Sequence, residues 1–231
     1  MLSFIVPAYN EEKYLGETLA CIHAAARELS LDYEIVVADD ASTDATARLA
    51  QEAGARVVPV SNRQISKTRN AGARAASGDR FVFVDADTQV NPGVLRAAIA
   101  ALDAGDAGGG ATVRFPDSAP RWVHVVGRWV VGLMSLVDWA AGCFIFCTRS
   151  AFEATGGFDE RHFAGEEIMF SIAIKKQGRF RVLCESVETS ARKAVGRSPW
   201  EMLRLMLSIL VRGMGGVRRR DTTSFWYDGK R

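Results

Sequence analysis

Residues 1–42, MLSFIVPAYNEEKYLGETLACIHAAARELSLDYEIVVADDAS, decide the fold class. Two short runs rich in β-branched and apolar residues, Leu2–Val6 and Glu34–Ala38, flank a longer stretch, Glu11–Leu29, whose apolar positions recur at helical spacing. A strand, a helix and a second strand at this spacing predict a parallel pair, because the crossover helix returns the chain to the same end of the sheet. Both strands are nearly continuous apolar runs, as expected when helices cover both faces of the sheet. The pattern repeats downstream: strands at Arg56–Pro59 and Arg80–Val84, helices at Thr43–Ala53, Ser66–Ala76 and Pro92–Leu102. Ser42-Thr43-Asp44 and Asn91-Pro92 supply start signals for two of these helices. Gly54 and Gly78 stand where a left-handed residue would close a helix.

After Ala104 the texture changes. GDAGGG (105–110) reads as a glycine-rich turn, and Ala111–Phe115 as a further strand. Arg121–Asp138 reads as a helix apolar over most of its circumference, Cys143–Cys147 as another strand, and Glu166–Lys176 as a helix after a Gly-Gly turn. The expected architecture is α/β with a mostly parallel central sheet. One domain would span 1–197, followed by a basic, amphipathic C-terminal helix and tail over 198–231.

Composition narrows the function classes. The chain has 231 residues, 48% apolar and 24% charged, which excludes disordered, collagenous and disulfide-scaffold proteins. A net charge of only +2 argues against a nucleic-acid binder. The four cysteines, Cys21, Cys143, Cys147 and Cys184, form no CxxC pair, and most lie in apolar runs, which suits buried, reduced thiols in a cytoplasmic protein. The opening MLSFIVPAYN has no basic n-region of a signal peptide, and no run of about 18 apolar residues suggests a membrane span.

Open α/β sheets bind ligands beyond the carboxyl ends of their strands. The first strand runs into Pro7-Ala8-Tyr9-Asn10-Glu11, the second into Asp39-Asp40 and the fourth into Asp85-Ala86-Asp87, while Lys67-Thr68-Arg69-Asn70 opens a helix nearby. Neither a GxGxxG fingerprint nor a GxxxxGK[ST] loop follows a strand, so phosphates bound here would need a divalent cation. Two carboxylates alternating at a strand end, as in Asp85-Ala86-Asp87, would share a face about 7 Å apart and offer hard oxygen ligands to Mg²⁺ or Mn²⁺. Such a pair alone also recurs in solvated turns. Asp40 and Asp44 are better explained as helix caps, and His23 and His124 as ordinary helix residues; His162, before Glu166, stands within reach of an acceptor.

Taken together, PAYNE, ADDAST, KTRNAG, FVDAD and AGCFIFCTRSAFEATGGFDERHFAGEE, in this order over Ser3–Arg181, resemble inverting family 2 glycosyltransferases with a GT-A-type domain. The resemblance implies transfer of a sugar from a UDP- or GDP-linked donor to an acceptor hydroxyl or a lipid phosphate. It implies a nucleoside pocket lined by Pro7, Ala8, Tyr9 and Glu11, a base hydrogen bond to Asp39, and donor contacts from Arg69, Asn70, Asp85 and Ala86. Asp87 would ligate Mn²⁺ or Mg²⁺. Gly165-Glu166-Glu167 matches the family's Glu-Asp, so Glu167, or Glu166, would be the catalytic base. The family's late histidine is absent; the region reads Val187–Arg192, and Arg192 or Lys193 would face the leaving diphosphate. A nucleotidyltransferase would need a glycine-rich basic loop where PAYNE stands. A non-catalytic nucleotide-sugar-binding or membrane scaffold, its base degenerate, is the alternative kept open by the Glu-Glu variant.

The C-terminal segment carries its own signal. Trp200–Val211 places its few polar residues on one narrow stripe, and Gly196–Arg220 holds six arginines against Glu201, a local charge of +5. Arg204 and Arg212 lie too close together for a spanning helix. Peripheral attachment at the inner face of the plasma membrane, fitting a lipid-linked acceptor, and burial in a homodimer are both compatible with this pattern.

Overall fold

The computed structural model describes residues 1–162 and 165–192, with the side chains of residues 135 and 136 excepted. The expectations for the C-terminal helix Trp200–Val211, the basic tail, Lys193 and the domain boundary at 197 fall outside the described residues.

The first half alternates as its apolar runs require: β1 (Leu2–Ala8), α1 (Leu15–Glu28), β2 (Tyr33–Asp40), α2 (Thr46–Glu52), β3 (Arg56–Val60), α3 (Ile65–Ala75) and β4 (Arg80–Val84). The second half adds β5 (Thr88–Gln89), α4 (Pro92–Asp103), β6 (Gly108–Arg114), α5 (Arg121–Leu136), β7 (Phe144–Thr148), α6 (Arg149–Thr155), α7 (Glu166–Ile174) and β8 (Phe180–Thr189). The eight strands form one sheet in the order β3-β2-β1-β4-β7-β6-β8-β5. β1 pairs in parallel with β2 and β4, and β2 with β3; β7 runs antiparallel to both β4 and β6; β6 and β8 are parallel; and β5 is antiparallel to β8. The sheet is therefore mostly parallel, as expected, with β7 reversed at its centre.

Alternation along the strands sorts the core into two layers. Phe4, Val6, Val82, Val84, Phe144 and Phe146 point to the layer under α1 and α4. Ile5, Phe81, Phe83 and Ile145 point to the other, where Phe152, Phe158 and Phe170 close an aromatic cluster over the sheet. The Phe158 and Phe170 rings stack at 4.1 Å. This stack seats α7, and with it Glu166 and Glu167, against the carboxyl end of β4.

Four local expectations change. Gly108–Gly110 is not a turn but the start of β6, squeezed between β7 and β8: a Cβ on Gly108 would stand 2.6 Å from the Phe146 carbonyl oxygen, and one on Gly109 would strike that of Arg181. Gly54 does close α2 with φ +80°, whereas Gly78 is needed for close approach, a Cβ there falling 2.7 Å from the Met1 carbonyl. Asp40 does not cap α2. Its Oδ1 accepts from the amides of Asn62 and Arg63, at 2.5 and 3.0 Å, and its Oδ2 from Thr68 Oγ1 at 3.0 Å, tying β2 to the start of α3. Of the four cysteines, Cys143 and Cys147 are buried, Cys21 is half-buried and Cys184 is exposed.

Candidate active site

The site begins where β1 and β2 end. Asn10 takes a left-handed conformation (φ 55°), donates its amide to Ser42 Oγ (2.9 Å) and accepts from the Thr43 amide (2.8 Å). Glu11 N–H reaches Thr46 Oγ1 at 2.7 Å, and Glu12 and Ala45 exchange bonds with the Asp44 and Glu12 carboxylates. These contacts lace the two strand-end loops into one rim. Pro7 and Ala8 are buried in β1, and Tyr9 follows them with its hydroxyl accepting from Arg63 Nη1 (2.6 Å) while the Arg63 guanidinium lies 4.4 Å over its ring.

Asp39 stands on the floor of this rim. It is 7% exposed, and its Oδ1 is buried without a hydrogen-bond donor. A buried carboxylate oxygen left unpaired costs on the order of several kcal/mol unless a ligand supplies the missing donor.

Arg69 is the centre of the acidic side. Although only 1% exposed, it donates from Nη1 to Glu166 Oε1 (2.7 Å) and from Nη2 to Asp85 Oδ1 and the Gly142 carbonyl, both at 2.8 Å. Burial works against its charge, but Asp85, Glu166 and Glu167 more than offset it. Gly142 permits the approach: a Cβ there would lie 3.3 Å from Arg69 Nη2 and 3.6 Å from Glu167 Cδ. With Glu166 committed to Arg69, the two acids of the Gly165-Glu166-Glu167 motif take different roles. Burial first, then the Glu166 charge beside it, push the Glu167 carboxyl up to about 8.

Asp85 and Asp87, read from the strand end as a pair on one face, take different partners here. β4 stops at Val84, and the chain turns, with the Thr88 amide donating to the Asp85 carbonyl (3.1 Å) and Thr18 Oγ1 holding the carbonyl of buried Ala86 (2.9 Å). Asp85 therefore goes to Arg69, whereas Asp87 Oδ2 accepts from Ser190 Oγ (2.8 Å) and Arg192 Nε (2.9 Å). Arg192 also donates from Nη2 to Glu11 Oε1 (2.6 Å) and lies 4.7 Å over the Tyr14 ring. It joins the β1 and β4 ends through the chain that follows β8. No three His, Cys, Asp or Glu side chains converge as a metal cage among the described residues. A cation shared with a diphosphate needs only one or two carboxylates from the protein, and Asp87, with Oδ2 occupied, has Oδ1 to offer. The residues fit a cation that arrives with the substrate.

Asn70 and His162 turn away from this crevice. Asn70 is buried, with Nδ2 donating to the Phe158 carbonyl (2.9 Å) and Oδ1 accepting from the Phe158 amide (2.9 Å), so it pins the segment after α6. His162 is 1% exposed beside Asp159, its Nδ1 3.1 Å from that carboxylate, and its own carbonyl accepts from Gln64 Nε2. His23 bridges Tyr33 and the Ala53 carbonyl, as an ordinary helix residue would. Gly142, Ser190, Thr18, Thr46, Arg63 and Tyr14 were not singled out from the sequence. Ser190 lies in the Val187–Arg192 segment already marked for its missing histidine, which was the available signal.

The profile described as "Glycosyl transferase family 2" matches residues 3–164. The chain is 31% identical over 218 residues to an undecaprenyl-phosphate 4-deoxy-4-formamido-L-arabinose transferase of Pseudomonas aeruginosa, covering 89% of this chain and 62% of that protein. It is 38% identical over 112 residues to a protein of the same name from Pseudomonas fluorescens, covering 45% of this chain and 33% of the other. The chain thus spans at most about three-fifths of these curated relatives. Among solved structures, Staphylococcus aureus TarS 1-349 in complex with UDP-GlcNAc superposes with a TM-score of 0.65 at 21% identity, over 82% of this chain and 58% of that one. Glucosyl-3-phosphoglycerate synthase from Mycobacterium tuberculosis, in complex with Mn²⁺, UDP and glucosyl-3-phosphoglycerate, superposes with a TM-score of 0.63 at 19% identity, over 93% and 80% of the respective chains. These likenesses establish the GT-A-type fold. With the family profile covering most of the chain, and the strand-end motifs folded into one crevice, this protein belongs to glycosyltransferase family 2.

Proposed function

We propose that this chain transfers a glycosyl group from a nucleoside diphosphate sugar to the phosphate of a polyisoprenyl lipid. The observation that carries the donor half is the buried Asp39 carboxylate, whose Oδ1 has no hydrogen-bond donor among the described residues. Both uracil and guanine present an N–H edge that satisfies it. Pro7, Ala8 and Tyr9 wall the nucleoside, Glu11 stands by the ribose, and Asp85 with Ala86 borders the sugar. The acceptor half rests on the relatives named for undecaprenyl phosphate.

Asp87 would hold Mn²⁺ or Mg²⁺ together with the donor diphosphate, and a cation there neutralises charge gathering on the leaving group. Arg192, on the same carboxylate, adds a fixed positive charge beside it. Arg69 is a positioning residue: its two hydrogen-bonded carboxylates set where α7 meets the end of β4. An acceptor phosphate oxygen attacks the anomeric carbon from the face opposite the diphosphate. The carbon–oxygen bond to the diphosphate breaks, the electron pair leaves with it, and the configuration inverts.

A phosphate nucleophile is already ionised, so no proton has to be removed. Glu167, its carboxyl raised by desolvation and the Glu166 charge, then serves in its protonated form as a hydrogen-bond donor to the incoming phosphate rather than as a base. An ionised carboxylate at that point would repel it.

Calorimetric titration of UDP and GDP, with Mn²⁺ and with EDTA, tests the donor half. One nucleotide should bind in a cation-dependent manner, and the dependence should disappear in Asp87→Ala. Mass spectrometry of detergent-solubilised undecaprenyl phosphate incubated with the matching sugar nucleotides tests the acceptor half. Failure of a folded sample to bind either nucleotide would overturn the donor assignment. Transfer only to hydroxyl acceptors would overturn the lipid-phosphate assignment.

A further inference from the structure

The most exposed large apolar side chains among the described residues, apart from Met1, all belong to α5 or the residue just after it: Val125 (57%), Trp129 (73%), Leu133 (61%) and Val137 (46%). Their spacing of four puts them on one continuous stripe. The opposite face of the helix is already used. Val123 packs on Ala119, Ala191 and Phe115, and Gly127 lets the Phe115 ring approach so closely that a Cβ there would stand 2.5 Å from Cε2. The stripe is therefore an outward face of a seated helix, not a helix awaiting its core.

Three further features say what covers it. Arg121 heads the same row and Arg128 flanks it, both exposed, and Lys175 closes the far end, beside exposed Asp138, with a 2.6 Å bond from Nζ to the Val137 carbonyl. A tryptophan and aliphatic face bordered by cations matches the headgroup boundary of an anionic bilayer. The helix has 16 residues, about 24 Å, which falls short of the hydrocarbon thickness, and no described helix is long and apolar enough to cross a membrane. Finally, the stripe leads to the site. Five residues beyond Val137, the Gly142 carbonyl accepts from Arg69 Nη2, and a Cβ on Gly142 would lie 3.6 Å from Glu167 Cδ.

We infer that α5 lies flat in the surface of an anionic membrane through Val125, Trp129, Leu133 and Val137, and so presents the Glu167 end of the crevice to a lipid-borne phosphate. The inference rests on the lipid-phosphate reading above for its purpose, but its physical content is membrane docking by this helix.

The test uses the whole chain and vesicles of phosphatidylglycerol and phosphatidylcholine in equal parts. Wild type should float with the vesicles, more weakly as phosphatidylglycerol is withdrawn, and Trp129→Ser/Leu133→Ser should lower partitioning about tenfold or more. Both side chains are solvent-facing, so the melting temperature and nucleotide affinity should stay unchanged, which separates docking from folding. Brominated lipid should quench wild-type fluorescence, and Trp129→Phe, which keeps the apolar face, should lose much of that quenching. Transfer to lipid phosphate should fall in vesicles yet persist in detergent for the serine variant. Wild type that does not float, equal flotation of the two proteins, or quenching indifferent to Trp129→Phe would overturn the inference. So would a dimer in sedimentation velocity that the serine variant dissolves, since a second copy would then be the occupant. No product in detergent with wild type would instead count against the lipid-phosphate reading, leaving the flotation result to judge docking separately.

Discussion

Glu167→Gln separates two chemistries that the same crevice could perform. Desolvation and the neighbouring Glu166 charge raise the Glu167 carboxyl above the usual glutamate range, which favours its protonated form toward neutral pH. Glutamine keeps the shape and retains a hydrogen-bond donor. If the acceptor is a phosphate, the substitution should leave kcat/KM within about threefold of wild type, whereas Glu167→Ala, which removes a bond to a charged partner, should cost about 10–100-fold. If Glu167 takes a proton from a hydroxyl, glutamine should cost about 10²–10⁴-fold. The pH profiles diverge in the same way. For the phosphate acceptor, wild-type activity should decline as pH rises through about 8, where Glu167 gains a negative charge facing the phosphate, and Glu167→Gln should lack that decline. For a general base the sign reverses, with activity rising to a plateau as Glu167 ionises. The assay is initial-rate transfer to detergent-solubilised undecaprenyl phosphate between pH 6 and 9. A hundredfold loss in Glu167→Gln, together with a wild-type rise toward pH 8, would refute the reasoning.

Three other perturbations probe separate parts of the structure. Asp39→Asn should weaken nucleotide binding about 10–100-fold in calorimetry without lowering the melting temperature, because Oδ1 has no donor among the described residues to lose. Arg69→Met leaves Asp85 and Glu166 without their buried cation; a loss of about 3–5 kcal/mol, or on the order of 10 °C in Tm, is expected in thermal unfolding. Gly109→Ala drives a methyl group toward the Arg181 carbonyl and the Phe146 ring between β7 and β8, and should cost about 1–3 kcal/mol in a denaturant titration with little effect on nucleotide affinity.

What the sequence disclosed, and what it did not, divides along a physical line. The β1, β2 and β4 ends were legible because parallel strands buried on both faces are continuous apolar runs, and the polar residue that breaks each run marks the open edge of the sheet. β8 escaped notice because it lacks a two-residue rhythm: its register against β6 shifts between Ala111 and Thr112, so buried and exposed positions fall irregularly along Phe180–Thr189. α6, only seven residues long, shows too little of a helical period, although Thr148 accepting from the Ala151 amide and left-handed Gly156 both mark its ends. Gly108–Gly110 looked like a turn because glycine composition alone cannot distinguish a chain that bends from one that is crowded.

The same line runs through the site. Strand-end residues could be named one by one, but their partners come from sequence-distant segments brought close by the sheet order. Asp87 meets Ser190 and Arg192 from beyond β8, and Arg69 meets Glu166 from α7, 97 residues away. Two acids adjacent in sequence thus end with different partners. Arg69 takes Glu166 and leaves its charge beside Glu167, and that charge helps keep Glu167 protonated near neutral pH. Once α7 is seated on the Phe158–Phe170 stack, the two adjacent glutamates stand in different surroundings, Glu166 hydrogen-bonded to Arg69 and Glu167 beside the Glu166 charge. Replacing Arg69 should therefore change how Glu167 titrates as well as how firmly the crevice holds together.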